Sequence, residues 1–260
     1  MKIRGGILAI MFLVINAGQV KSQIKRQLIW SDEFNYTGLP DSTKWGYEKG
    51  LVRNHEPQYY TIGRTENCSV ENGCLVIEAR KENYKDSKYT SASITTQGKA
   101  SFQYGRIEMR AKVPKGLGSW SAFWMLGVNH GRIKWPDCGE IDIMEYVGKD
   151  SSKVYGTLHY ANRLGEYEHQ GAQPIVGAPY DGFHIYAVER NKDNICFYYD
   201  SIKYLAVDLT KVDKKARKIL DGKFYLLINL ALGRPGTLGG KLSDGILPLK
   251  YYIDYVRVYK

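Results

Sequence analysis

The sequence predicts an all-β protein, a sandwich of two antiparallel sheets. Three features carry that expectation. Short segments that alternate apolar and polar residues recur along the chain. Turn signals separate them. No long stretch shows the period of an amphipathic helix. In chain order, Asn72-Gly73 comes first and is a strong signal for a two-residue hairpin. Leu75-Val76-Ile77-Glu78-Ala79 follows as a strand, and Gly105-Arg106-Ile107-Glu108-Met109-Arg110 alternates cleanly. Phe183-His184-Ile185-Tyr186-Ala187-Val188 and Ile195-Cys196-Phe197-Tyr198-Tyr199 read as two more, the second ending at an Asp200-Ser201 turn. Phe224-Tyr225-Leu226-Leu227-Ile228-Asn229-Leu230 is apolar on both faces and reads as a central strand.

The chain has 260 residues and no linker, repeat or low-complexity tract, so one folded domain is expected over residues 23–260. Residues 1–22 read as a secretory signal peptide. Lys2 and Arg4 precede an apolar run at 7–15, and Ser22 supplies a small residue before Gln23. That run is too short to span a membrane, and no cysteine near the cut offers a lipid anchor. A secreted or periplasmic protein is expected, with no membrane partner after cleavage.

The formal net charge is +10. The leader holds three of the cations and no acid, so its removal leaves about +7. The cations are scattered, apart from residues 211–218. That run has no aromatic residue on which a base could stack, so no nucleic acid is expected, and it reads as a solvated loop or turn. Of the four cysteines, Cys68 and Cys74 flank the Asn72-Gly73 turn, but a two-residue hairpin points them to opposite faces. Cys138 and Cys196 read as buried thiols.

The most informative segment is Glu140-Ile141-Asp142-Ile143-Met144-Glu145. Its composition and flanks read as a buried strand, where carboxylates are costly without partners or a task. Alternation puts Glu140 and Asp142 on one face but would send Glu145 to the other. A β-bulge at Ile143-Met144 restores the parity, so that all three acids share a face. Glu140 and Glu145 are then read as a pair about 5–5.5 Å apart, the spacing of a retaining glycosidase. Crowding of like charges separates their tendencies to ionise, with Asp142 adding to the effect. A solvated edge strand would not be so rich in Ile, Met, Tyr and Val.

The segment from Trp135 to Gly148 closely resembles the active-site strand of glycoside hydrolase family 16. The form with the extra Met144 resembles the laminarinase-type branch. Further motifs follow in order: Trp30-Ser31-Asp32-Glu33-Phe34, Val70-Glu71-Asn72-Gly73, Gly105-Arg106-Ile107-Glu108, Ser119-Trp120-Ser121-Ala122-Phe123-Trp124-Met125, Gly156-Thr157-Leu158-His159-Tyr160 and Ile253-Asp254-Tyr255-Val256-Arg257-Val258-Tyr259. The resemblance implies a concanavalin-like jelly roll that hydrolyses β-1,3 or mixed-linkage β-1,3/1,4-glucans across one sheet. It implies Glu140 as nucleophile, Glu145 as general acid and then base, and Asp142 as the residue that orients Glu140.

The resemblance also implies Trp120 and Trp124 as sugar-stacking residues, Asn54 as a hydroxyl partner, His159 as a group facing the acid/base, and Trp135 at the cleft. No cofactor is implied for catalysis. A structural Ca²⁺ is implied, held by Glu33, the Gly73 carbonyl and Asp254. One departure stands out: the branch often carries arginine where this chain has Ser93. That arginine helps to hold a sugar on the non-reducing side, so its absence opens the reading toward mixed-linkage glucan. The expected partner is β-glucan and the expected state a monomer. The rival readings are a lectin-like glucan binder on the same fold and a hydrolase of a red-algal galactan.

Overall fold

The structure, a computed structural model, describes residues 26–260. The predicted leader lies outside them. The strands in chain order are β1 (Leu28–Asp32), β2 (Gly46–Tyr47), β3 (Gln58–Tyr60), β4 (Cys68–Glu71), β5 (Cys74–Tyr84), β6 (Ser87–Ser91), β7 (Ser93–Thr95), β8 (Gly105–Lys112) and β9 (Ser119–Gly127). They continue with β10 (Glu140–Val147), β11 (Tyr155–Ala161), β12 (Tyr167–Ala172), β13 (His184–Arg190), β14 (Asn194–Tyr199) and β15 (Ile202–Asp208). A helix, α1 (Lys214–Leu220), precedes β16 (Phe224–Leu232) and β17 (Leu249–Tyr259).

Two sheets result. One runs β15-β14-β13-β8-β17-β5-β6-β3, with β1 added beside β17 and β4 beside β5. The other runs β12-β11-β10-β9-β16-β7-β2. Pairing of these strands is antiparallel except between β3 and β6. This is the two-sheet sandwich that the alternating segments predict. The core lies between the sheets. Phe123 and Met125 of β9, Ile141 and Tyr146 of β10, and Leu226 and Ile228 of β16 belong to one apolar cluster with Ile77, Met109, Val188, Phe197 and Val256 of the other sheet. Burying each such side chain contributes about 1.5–3 kcal/mol, which fixes the inner face of every strand.

The hairpin forms as expected. Asn72 and Gly73 have φ of 52° and 75°, the left-handed pair that a tight two-residue turn requires. Glu71 pairs with Cys74, and Cys68 pairs with Ile77 inside the core. All four cysteines are free thiols. One expectation fails: residues 211–218 do not form a loop or turn, because most of the run enters α1. Asp213 caps the helix by accepting from the Lys215 and Ala216 amides at 2.8 and 3.0 Å. Ala216 and Leu220, four residues apart, share the buried face while the lysines face outward. Two apolar positions on one turn are too few to show as a period in sequence.

Candidate active site

The acidic segment forms β10 in the middle of the seven-stranded sheet. Its register against β9 runs Glu140 to Leu126, Ile141 to Met125 and Asp142 to Trp124, then resumes with Met144 to Phe123 and Glu145 to Ala122. Ile143 has no partner. The same one-residue slip occurs against β11, where Asp142 faces Thr157 and Glu145 faces Tyr155. Ile143 and Met144 are therefore consecutive yet both wholly buried in the core. Glu145 returns to the face of Glu140 and Asp142, as the bulge reading requires. Gly139 leads the chain into this strand with φ of 76°, and a Cβ there would lie 2.7 Å from Ile219 Cγ2. Only glycine meets both conditions.

The three carboxylates open into a cleft of about 500 Å³. Trp120, Trp124, Trp135, His159 and Asn54 line it too, so the structure brings every sequence-predicted catalytic and substrate residue to one place. β9 supplies the first two tryptophans because Trp120, Ala122, Trp124 and Leu126 alternate away from the core-facing Phe123 and Met125. Trp120 Nε1–H donates to Glu145 Oε1 at 2.9 Å. Trp124 Nε1–H donates to Asn229 Oδ1 at 2.8 Å. Trp135 is 46% exposed, with its ring 5.0 Å from Tyr167. Asn54 donates to Glu56 Oε1 at 3.0 Å.

His159 requires a correction. It does not bond to Glu145, the expected acid/base. Its Nε2 lies 2.7 Å from Asp142 Oδ2 and 4.0 Å from Glu140 Oε1. The register explains its direct contacts, since β11 pairs His159 with Glu140, although His159 still acts on the Glu145 carboxyl through its charge. Its Nδ1 meets the Tyr167 hydroxyl at 2.8 Å.

Burial dominates the electrostatics. It pushes the Glu140 carboxyl well above the ordinary carboxylate range, Asp142 adds to the rise, and His159 opposes it. Asp142 is pushed well above its usual value by burial and then by the charge of Glu145. Glu145 is raised by burial, against the pull of the Trp120 N–H. The three titrate as one set. The shift of Glu145 favours holding a proton, the condition for a general acid at neutral pH.

Several cleft residues were missed by sequence reasoning, Glu48, Arg53, Glu56 and Asn229, and so was Tyr167, which packs against the cleft residues Trp135 and His159. Asn229 carried a signal, as the one polar residue in the otherwise apolar β16 segment. Its side chain accepts from Trp124 and donates to the Tyr60 hydroxyl at 3.0 Å, which in turn donates to Glu56 at 3.3 Å. Glu56 thus anchors Asn54, Gln58 and Tyr60 together. Tyr167 sits on edge strand β12, where nothing in its neighbours marks it.

The Ca²⁺ set does not fit. Both Glu33 oxygens accept from Arg257, the shortest contact being 2.7 Å, and this holds the Glu33 carboxyl below its usual range. Asp254 accepts from Arg110 at 2.5 Å. With a guanidinium on each carboxylate, these residues do not present a free oxygen cage to a hard cation. Elsewhere, ligand atoms of Glu140, Asp142 and His159 lie within 4.8 Å of one another. A cation held there would engage two of the three carboxylates of the cleft.

The profile of the family described as Glycosyl hydrolases family 16 matches residues 55–219. The chain is 42% identical over 247 residues to a beta-glucanase of Rhodothermus marinus, covering 90% of this chain and 85% of that protein. It belongs to glycosyl hydrolase family 16. Among solved structures, the laminarinase of Rhodothermus marinus superimposes with a TM-score of 0.83 at 42% identity, covering 90% of this chain and 97% of that one. A point mutant of SCLam, a non-specific endo-β-1,3(4)-glucanase of family 16, co-crystallised with 1,3-β-D-cellotriosyl-glucose, superimposes at 0.84 and 37% identity, with 92% and 96% covered. This family 16 chain is therefore a glycoside hydrolase with the jelly-roll architecture, and its chemistry needs no cofactor.

Proposed function

We propose that this protein is a retaining endo-β-glucanase acting on glucans with β-1,3 links, both mixed-linkage β-1,3/1,4-glucan and laminarin. The observation that carries the reading is the bulge after Asp142. It sets three carboxylates, Asp142 buried and Glu140 and Glu145 half-buried, on one cleft face beside Trp120 and Trp124. Glu145 gives its proton to the bridging oxygen while the Glu140 carboxylate attacks the anomeric carbon and the glycosidic C–O bond breaks. The Trp120 N–H occupies Glu145 Oε1, so that proton sits on Oε2. Water then attacks the glycosyl ester, giving its proton to Glu145, and Glu140 leaves. Two inversions return the β-configuration. Asp142, held by His159, orients Glu140 and keeps the set's protons shared. Trp124 and Trp135 offer flat faces to pyranose C–H groups, and Asn54 meets hydroxyls.

The residue 1–22 leader supports export, to the periplasm or beyond. Among the described residues no helix is long and apolar enough to cross a membrane. The cleft is assembled from one chain, which suits a monomer whose partner is β-glucan. Initial rates on laminarin, barley β-glucan, lichenan and agarose test the substrate. We expect activity on the first three, with mixed-linkage glucan at least as good as laminarin. Activity confined to agarose would overturn the reading in favour of a galactan, and glucan binding without product would favour the lectin-like alternative. Proton NMR of the first product should show the β-anomer.

A further inference from the structure

Arg53, between β2 and β3, has no part in the chemistry above, yet it is built firmly into the cleft. It is the one lysine or arginine among the described residues that line it. Its Nη2 donates to both oxygens of Glu48. Glu48 Oε2 also accepts from Ser93 Oγ at 2.6 Å. The guanidinium carbon lies 4.8 Å from the centre of the Trp124 ring. Nη1 is buried and meets no acceptor among the described residues. A buried donor of a charged group is costly to leave unpaired, and a sugar is rich in acceptors.

We infer that Arg53 is a substrate-binding residue for the sugar that packs beside Trp124, donating from its unpaired Nη1 to a sugar hydroxyl. The inference rests on the glucanase reading and adds a residue to it. Ser93 makes the arrangement possible. Its short side chain reaches only to Glu48, leaving that carboxylate free to hold a guanidinium arriving from another loop. An arginine at position 93 would reach for the same Glu48 carboxylate that Ser93 Oγ and Arg53 now share. The planar fork of arginine matters, since Nη2 is spent on Glu48 while the buried Nη1 is left without an acceptor.

The test compares Arg53→Met, Arg53→Lys and the double variant Arg53→Met, Ser93→Arg with wild type on laminarin and barley β-glucan. Arg53→Met keeps an apolar stem over Trp124 and removes every donor. It should raise KM about tenfold or more while kcat stays within about threefold, as expected for a lost charged hydrogen bond to bound sugar. Arg53→Lys keeps the pair with Glu48 but not the second edge, so its KM should rise too. Adding Ser93→Arg to Arg53→Met should bring KM back toward wild type. Should Arg53→Met fail to fold, the lysine variant decides. Wild-type hydrolysis with KM unchanged in the variants would overturn this inference alone. A wild type inert on every glucan would remove the glucanase reading and this inference with it.

Discussion

Replacing Glu145 by Gln separates what this side chain does for the reaction from what it does to the fold. Gln keeps an oxygen to accept from Trp120 Nε1, now at 2.9 Å, and nearly keeps the volume. It removes the proton and the charge. On a polysaccharide the leaving sugar is a poor leaving group, so losing the general acid should lower turnover by roughly a hundredfold to ten-thousandfold. On an aryl glucoside with an acidic phenol, departure needs no proton, and the first step should survive. Azide, which needs no base, should then restore turnover and give a β-azide. Glu140→Gln should fail on both substrates, because no glycosyl ester can form. The effect on stability has a definite sign. Burial raises the Glu145 carboxyl, so the folded chain holds a proton that the unfolded chain has already lost. Stability therefore falls as pH rises from the ordinary carboxylate value through the folded one. At neutral pH this costs about 1.4 kcal/mol for each pH unit of displacement. Glu145→Gln should raise Tm at pH 7 by roughly 2–4 °C for each kcal/mol, with the gain vanishing near pH 4 or below. Wild-type turnover on polysaccharide, or azide rescue of Glu140→Gln in place of Glu145→Gln, would refute the assignment of roles. A Tm gain that grows toward acid would refute the burial argument.

Trp120→Phe should move the alkaline limb of kcat/KM upward, because the lost N–H had favoured the ionised form of Glu145; a limb that stays put or falls would contradict this. Trp135→Ala should raise KM for polymers about three- to tenfold with little change in kcat, since the exposed ring can stack a sugar but breaks no bond. Asp213→Ala should lower stability by about 0.5–2 kcal/mol through the lost cap, measured by thermal melting, and leave activity at low temperature intact.

The sheet content, the Asn72-Gly73 hairpin and the central place of β16 were legible because each depends on local rules of alternation and turn chemistry. The bulge was legible for a related reason: only an extra residue could bring Glu145 onto the face of Glu140. The spacing of the pair was not. Positions four apart on a flat strand are about 13 Å apart, so a short carboxyl gap depends on twist and on side-chain lean. The retained stereochemistry therefore rests on membership of family 16, not on strand spacing. His159 was found by motif but given the wrong neighbour, since the register of β11 against β10 is a pairing between distant segments. Arg53, Glu48 and Tyr167 were silent for the same reason.

Net charge says little about the site. The chain is basic overall, yet its cleft is strongly acidic, with Glu48, Glu56, Glu140, Asp142 and Glu145 against Arg53 among its lining residues. A global sum weights every surface lysine equally with a buried carboxylate, although screening leaves the former with little influence beyond about 10 Å. The local balance is what reaches the substrate. It sets one guanidinium among five carboxyl groups, four of which burial pushes toward the protonated form, an environment rich in hydrogen-bonding groups for a neutral glucan. The same asymmetry gives Arg53 its weight: as the one guanidinium among those acids, its removal changes the local charge far more than removal of any of the scattered surface cations.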